Sequence, residues 1–356
     1  MTRRIAVITG NRAEYGILEP VLDAIESHDA LALRLVVTGT HLITDSIKDI
    51  SYPIAARVKM QRTGAVASRA EDVQSLGRGV SGFGRALEQL APDVVLVIGD
   101  RIEALAAALA AQVGGVRLAH IHGGDRAEGV ADEAMRHAIS KLAHLHFAAT
   151  AQSAKRLTRM GEHKAHVYPT GSPAVDALAN VTPSADAPDL IIMQHPVGET
   201  NEKEYGWMEA TLKATAKHRR LVMAPNHDPG RDGIMRAIVD HKLKPTEHLP
   251  RTEFLGLLAG AKAIVGNSSA GLIEAAALKT PTVNLGPRQA GRERPRSVID
   301  ANYGVASARR ALKEAIALDT SRLRHPYGDG RASQRIADHL ASIKLDELPL
   351  HKRNAY

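Results

Sequence analysis

A chain of 356 residues is longer than one ordinary core supports and suits two domains of roughly 150 to 180 residues each. Its 46 basic and 39 acidic side chains leave a net charge of +7, spread along the chain, which favours small anionic ligands. With 3% aromatic residues, a base-stacking platform for nucleic acid is poorly supplied. The absence of cysteine excludes disulfide scaffolds, thiol nucleophiles, iron–sulfur clusters and thiolate zinc sites. No signal-peptide core follows Met1–Arg4 and no stretch approaches the roughly 20 apolar residues that span a bilayer, so a soluble cytoplasmic protein with no membrane partner is expected.

Apolar runs of strand length recur through the first half, at Ile5–Ile8, Leu33–Val37, Val94–Ile98, Val116–Ile121 and Leu145–Ala149. Between most of them the spacing is helical, as in Ile17, Leu18, Val21, Leu22 and Ile25, or Leu105, Leu109 and Val113. Runs that are apolar at consecutive positions suit strands covered on both faces, and right-handed crossovers then wind them into a parallel sheet. Residues 39–80 show no clear period and are assigned to loops with one helix. A Pro, Ser and Asp cluster, Asn180–Pro188, reads as a linker. The alternation then resumes, with strands at Leu190–Met193, Leu221–Met223, Ala263–Val265 and Thr282–Leu285 and helices near 203–217, 231–240, 252–259, 270–279 and 308–317.

The expected fold class is therefore α/β, with two Rossmann-like domains facing across a cleft. Residues 1–178 form the first and 188–331 the second. An amphipathic last helix, about 332–344 (Ile336, Leu340, Ile343), lies in a segment, 332–346, that packs back on the first domain. Ligands of open α/β sheets bind at the carboxyl edges of the strands, so the polar residues there are the candidates.

The first strand runs into Gly10-Asn-Arg12, where backbone N–H groups and a guanidinium suit a phosphate, or where a turn glycine simply precedes a solvated arginine. Asp100 and Arg101 stand at another strand end; Asp100 suits a proton acceptor or a helix cap. The densest polar stretch holds His120, His122, Asp125, Glu128, Asp132, Glu133, Arg136 and His137. Strand alternation turns His120 and His122 to one face, but no thiolate or third spaced histidine supports a metal, so none is expected. Asp132 and Arg136 are four apart, which suits a surface ion pair as well as a catalytic acid.

In the second half His195 and Asn226 follow strands. Gly266-Asn-Ser-Ser269 opens a helix whose N-terminus and hydroxyls suit a diphosphate, unless Asn267 or Ser268 is a plain N-cap. Glu274, a turn further on, suits two ribose hydroxyls or solvent, and Arg288 and Arg292 return to the same edge. The dinucleotide fingerprint and the Walker lysine are both missing, so no nucleotide cofactor is expected.

Taken in order, Gly10–Gly16, Gly99-Asp-Arg101, the His120–His137 cluster, His195-Pro196, Gly266–Ser269 with Glu274, and Gly286-Pro-Arg-Gln289 resemble the UDP-N-acetylglucosamine 2-epimerase family. The resemblance covers residues 4–340 and is closest to the hydrolysing branch that serves sialic-acid-type sugar synthesis. It implies the glycosyltransferase-B architecture, no cofactor, no metal, a homodimer and a nucleotide-sugar substrate. It makes Arg12, Arg101, His195, Asn226, Ser268, Ser269, Gly271, Glu274 and Arg288 the substrate-binding residues. Asp100 and Asp132 become catalytic carboxylates. Several relatives carry Glu in His-Ile-Glu-Gly-Gly where this chain has His122, so that acid/base task falls to His122 or Asp125. The expected reaction is anti elimination of UDP to a glucal, then hydration to free N-acetylmannosamine. The rivals are a non-hydrolysing epimerase, a glycosyltransferase on the same architecture and a non-catalytic nucleotide-sugar binder. The sugar is UDP-N-acetylglucosamine, a 4-acetamido-6-deoxy analogue or a GDP-linked counterpart.

Overall fold

The computed structural model describes residues 2–64, 68–128, 132–178, 180–247 and 249–356, apart from the side chains of Asp45, Asp49, Asp132 and Ala177. The chain divides into two compact units: Met1–Asp125, Ala131–Asp176 and Gly328–Tyr356 form the first, and Arg126–Val130 with Ala177–Tyr327 the second.

In the first unit the order is β1 (Arg3–Thr9), α1 (Arg12–Glu26), β2 (Leu31–Thr38), β3 (Ile54–Val58), α2 (Arg69–Leu90), β4 (Val94–Ile98), α3 (Ile102–Val113), β5 (Arg117–Ile121), α4 (Asp132–Leu142), β6 (Leu145–Phe147), α5 (Ala151–Arg159) and β7 (Val167–Tyr168). The seven strands form a parallel sheet in the order β3-β2-β1-β4-β5-β6-β7. The order reverses between β1 and β4, so the crevice that a doubly wound sheet offers a ligand lies at their carboxyl ends. All five residues of β4 are buried, because helices cover both faces of the sheet.

Strand β3, like α5 and β7, escapes sequence patterning, and α2 is anticipated only as the one helix assigned within residues 39–80. Strand β3 sits at the sheet edge with alternating burial, and a five-residue edge strand carries little apolar signal. Helix α2 contains Gly77, Gly79, Gly82 and Gly84, which lower helix propensity. Two of these glycines serve packing. A Cβ on Gly79 would meet Met60 Cε at 2.7 Å and Ala106 Cβ at 2.9 Å, and one on Gly82 would meet Val58 Cγ1 at 2.7 Å. Glycine on α2 facing the alanines of α3 brings the two helices close.

The second unit comprises β8 (Leu190–Met193), α6 (Asn201–Ala214), β9 (Arg220–Val222), α7 (Arg231–Asp240), α8 (Arg251–Gly260), β10 (Ala263–Gly266), α9 (Glu274–Ala277), β11 (Thr282–Leu285), β12 (Val298–Ala301) and α10 (Val305–Ala317). Its parallel sheet runs β12-β11-β10-β8-β9. The segment 180–188 belongs to this unit and is tied down, with Ser184 N–H donating to Gly256 O at 2.9 Å. The final helix, α11 (Ala332–Ser342), packs on α1 in the first unit, where Ile336, Ala337 and Leu340 join the core of β1 and β2.

The helix expected over 270–279 is broken. Ser269–Gly271 form a 3-10 turn and only Glu274–Ala277 are α-helical. Thr282 Oγ1 donates to Gly271 O at 2.6 Å, taking the carbonyl that residue 275 would use in an unbroken helix.

Beyond Leu345 the chain returns to the back of α4. Lys352 Nζ donates to Lys141 O at 2.7 Å and pairs with Glu162 Oε2 at 2.5 Å. Burial favours the neutral acid at Glu162, but His146, Lys141 and Lys352 outweigh it and hold the carboxyl down at about 2. Lys352 thus closes the last carbonyls of α4, the favourable place for a cation on a helix.

Gly266 ends β10 with φ of 144°, and an added Cβ would fall against the Met193 backbone carbonyl. Gly266→Ala should therefore lower unfolding free energy by about 1–3 kcal/mol, the range for backbone strain at such a position, measurable by urea denaturation.

Candidate active site

The first unit gathers polar side chains at the carboxyl ends of β4 and β5. Strand β4 is followed by Gly99, whose φ of 76° turns the chain so that Asp100 leaves the sheet. Asp100 is not a helix cap: Arg101 holds the N-cap position of α3, and Asp100 pairs with Arg136. Arg136 is 1% exposed. It also bonds Glu133 Oε2 at 2.8 Å and Asp125 O at 3.3 Å. Arg136 is thus not the solvated partner that a surface pair would need but a buried guanidinium holding two carboxylates, because this face of α4 is turned into the protein. Those carboxyl side chains are 23% and 22% exposed, so they are anchored yet open to a substrate. Asp132 begins α4, and its side chain lies outside the described residues.

His120 and His122 do not share a face, because β5 ends at Ile121 and His122 takes a positive φ of 65°. His120 is buried, with Nε2 donating to Gly99 O at 2.7 Å and Nδ1 3.1 Å from Ser140 Oγ. Burial pushes its pKa down to about 3, so the ring is neutral. His122 instead meets Asp125 Oδ2 at 3.0 Å through Nδ1 and Ser172 Oγ at 2.9 Å through Nε2. Ser153 Oγ donates to the other Asp125 oxygen at 2.7 Å. Asp125 accepts from Nδ1–H, and the Ser172 hydroxyl, which can donate or accept, meets the other ring nitrogen.

Arg12 lies in the first turn of α1, where two of the backbone N–H groups that could hold phosphate are engaged. Gly10 N–H donates to Glu14 Oε2 at 2.9 Å, and Glu14 N–H to Asn11 Oδ1 at 3.0 Å. Burial, then the nearby Glu103, pushes Glu14 up to about 7. Arg101 Nε lies 3.4 Å from Glu103 Oε2. The β1/β4 crevice thus carries a carboxylate pair beside Arg101, and the helix dipole of α1 is met by its own glutamate.

In the second unit the centre is Asn267, which is fully buried. Its Oδ1 accepts His195 N–H at 2.7 Å and its Nδ2 donates to His195 O at 2.8 Å, so its amide pairs with the backbone beyond β8 as a neighbouring strand would. Gln289 Nε2 and Arg288 Nη1 donate to Asn267 O at 2.9 and 3.3 Å. Asn226 N–H donates to His195 Nδ1 at 3.3 Å. His195, Asn226 and Arg288 are thereby joined around one residue, with Ser268 and Ser269 next in the chain. Ser268 caps the 3-10 turn through Ala270 N–H at 3.3 Å. Gly271 is buried against Thr282. Glu274 stands apart from this network and faces Arg251 Nη1 at 3.5 Å.

Sequence reasoning missed Arg136 as an anchor, Ser172, and Asn267 as a hub. Only Asn267 left a local trace, as a polar residue that follows a buried strand.

With this geometry the chain can be set beside known proteins. The sequence profile of the UDP-N-acetylglucosamine 2-epimerase family matches residues 23–341, and the chain belongs to that family of enzymes. It is 34% identical to the hydrolysing UDP-N,N'-diacetylbacillosamine 2-epimerase of Legionella pneumophila, covering all of both chains. It is 32% identical to the UDP-N-acetylglucosamine 2-epimerase of Neisseria meningitidis, over 99% of this chain and 98% of that one. Among solved structures, the Methanocaldococcus jannaschii UDP-GlcNAc 2-epimerase, crystallised with UDP-GlcNAc and UDP, superposes with a TM-score of 0.79 at 19% identity. That superposition covers 95% of this chain and 99% of that one, and shows the shared fold of two parallel α/β domains.

Arg136→Gln should destabilise the first unit by about 3–5 kcal/mol, the usual cost of breaking a buried pair, read as a lowered denaturation midpoint. His120 adds a pH dependence. Its folded pKa lies below that of the unfolded chain, so its contribution is complete above the unfolded value and fades as pH falls from about 6.5 towards 3. The melting temperature should drop more steeply over that window in wild type than in His120→Asn, as scanning calorimetry would record.

Proposed function

We propose that this protein is a cytoplasmic, homodimeric, hydrolysing 2-epimerase. It converts a UDP-linked 2-acetamido sugar and water to UDP and the free 2-epimer, an N-acetylmannosamine-type sugar of sialic-acid-like pathways. The observation that carries this reading is the pair of accessible carboxylates, Asp100 and Glu133, held on one buried guanidinium in a chain of this family. Support for release of the free sugar comes from the full-length relative named as hydrolysing.

The second unit takes the nucleotide diphosphate. Arg288, His195, Asn226 and the Ser268 and Ser269 hydroxyls supply positive charge and donors, and Glu274 takes the ribose. Arg12 and Arg101 add cationic contacts, and Gly271 shapes the turn. Donors aimed at a departing diphosphate stabilise charge as it develops, the largest electrostatic lever on such a step.

The first unit moves the protons. In an α-gluco nucleotide sugar the C2 hydrogen and the C1 diphosphate are both axial and on opposite faces. Asp100 removes the C2 proton; the C–H electrons form the C1–C2 double bond, and the C1–O bond to UDP breaks. Water then adds to C1 of the glucal, and a proton returns to C2 from the other face, inverting that centre. Asp132 and Glu133 supply or relay that proton. His122 and Asp125, bonded directly to each other with Ser172 on the far ring nitrogen, form the remaining acid/base pair. A positioned acid or base of this kind contributes about 10² to 10⁴ in rate.

Incubation with UDP-N-acetylglucosamine, its 2,4-diacetamido-trideoxy analogue or a GDP-linked counterpart in deuterated water tests the reading directly. Free 2-epimer carrying deuterium at C2, with an equal amount of nucleotide, is the expected product by NMR. A nucleotide-linked epimer would instead mark a non-hydrolysing enzyme, and no turnover a binder. Asp100→Asn should lower turnover by about a hundredfold or more while UDP affinity stays within a few-fold; unchanged turnover would remove Asp100 from the role.

A further inference from the structure

A second cationic site lies in the second unit, away from the Asn267 network. A cavity of about 620 Å³ is walled by Arg294, Arg296, Arg322 and Arg324, with Glu293 its only carboxylate. Arg294 Nε bonds Asp300 Oδ2 at 2.8 Å. Among the described residues Arg296, Arg322 and Arg324 are exposed and have no ion pair. Crowding guanidiniums together is unfavourable unless an anion or solvent screens them.

Topology separates this cavity from the candidate diphosphate site. Ser297 O accepts Thr282 N–H at 2.9 Å, and Thr282 and Val298 are paired at the start of β11 and β12. Residues 295–297 therefore lie at the amino edge of the sheet. Gly266 and Asn267 lie at its carboxyl edge, about 13 Å away along a four-residue strand. The second wall reaches the same edge, because Thr320 Oγ1 donates to Lys279 O at 2.6 Å just before β11. Tyr327 OH donates to Glu293 O at 2.8 Å, fixing the two walls to each other. Lys279 Nζ donates to Leu323 O and adds a further cation. Burial, and then the charge of Lys279, holds His325 below its ordinary range.

Leu323, Pro295 and Pro326 supply an apolar part of the lining. The volume falls within the roughly 300–1,000 Å³ of small-molecule sites, and guanidinium forks match phosphate oxygens. We propose that this amino-edge cavity is a second binding site, distinct from the reaction site, for a small organic molecule bearing two or more phosphate charges. Its phosphates sit on Arg296, Arg322 and Arg324, and its organic part on Leu323 and the two prolines. The 286–297 segment carries Arg288 and Gln289 at one end and Arg296 at the other, and so links an occupant here to the candidate diphosphate residues. The site is therefore suited to regulation.

Inorganic pyrophosphate is a suitable probe, titrated calorimetrically at low salt into wild type, Ser268→Ala/Arg288→Ala and Arg322→Ala/Arg324→Ala proteins. Wild type and the first variant should both bind pyrophosphate below about 1 mM. The second variant should lose at least about tenfold of that affinity while binding UDP within about twofold of wild type. Absence of binding in wild type, or binding lost in the first variant and kept in the second, would overturn the proposal. So would a short duplex DNA that binds more tightly than pyrophosphate and is lost with the same two arginines, since the surface would then serve nucleic acid.

Discussion

The ion pairs around Arg136 set the terms for the first unit. A guanidinium cannot shed its charge, and one that is 1% exposed stays in the fold only when its donors are matched. Asp100, Glu133 and the Asp125 carbonyl supply that match. The same contacts orient two carboxylates from different elements, one from the end of β4 and one from α4. Neutral His120 supports the arrangement from below by joining Gly99 O to Ser140 on α4. The tail supports it from behind by closing the last carbonyls of that helix with Lys352. Residues far apart in the chain thus converge on the positions of two oxygen-bearing groups.

The second unit reaches a comparable result with a neutral residue. Asn267 satisfies both backbone groups of His195 and gathers Arg288 and Gln289 on its own carbonyl. A side-chain amide can do this because it carries donors and an acceptor together, and a buried one must use them. A neutral amide at the centre thus positions a histidine loop and an arginine near the strand ends. The interruption of the following helix at Gly271 has the same local cause as its burial, the approach of Thr282 from β11.

The two sheets were legible because strands covered on both faces are apolar at every position, and Val94–Ile98 or Leu190–Met193 show this without help from neighbours. The elements that escaped, or were placed only loosely, were those whose stability is not written locally. Edge strand β3 is half exposed, β12 likewise shows little apolar signal, and α2 sacrifices propensity at Gly79 and Gly82 for close packing. The site was legible as a set of polar residues at strand ends. Their partners were not: the spacing allowed Arg136 a place on the surface, and strand alternation suggested a shared face for His120 and His122. Burial of the α4 face and the positive φ at His122 ruled otherwise.

By itself, the order of apolar runs and turns determined a parallel α/β chain in two sets, and its ordered motifs determined the family. Hydrophobic period is a property of neighbouring residues, so it survives in one dimension. The tertiary structure alone decided that residue 136 holds residue 100, that residue 267 holds residue 195, and that Gly10 and Glu14 occupy the anion position of α1. Those contacts follow from which strands lie side by side and how deeply each helix face is buried, and no local pattern records either.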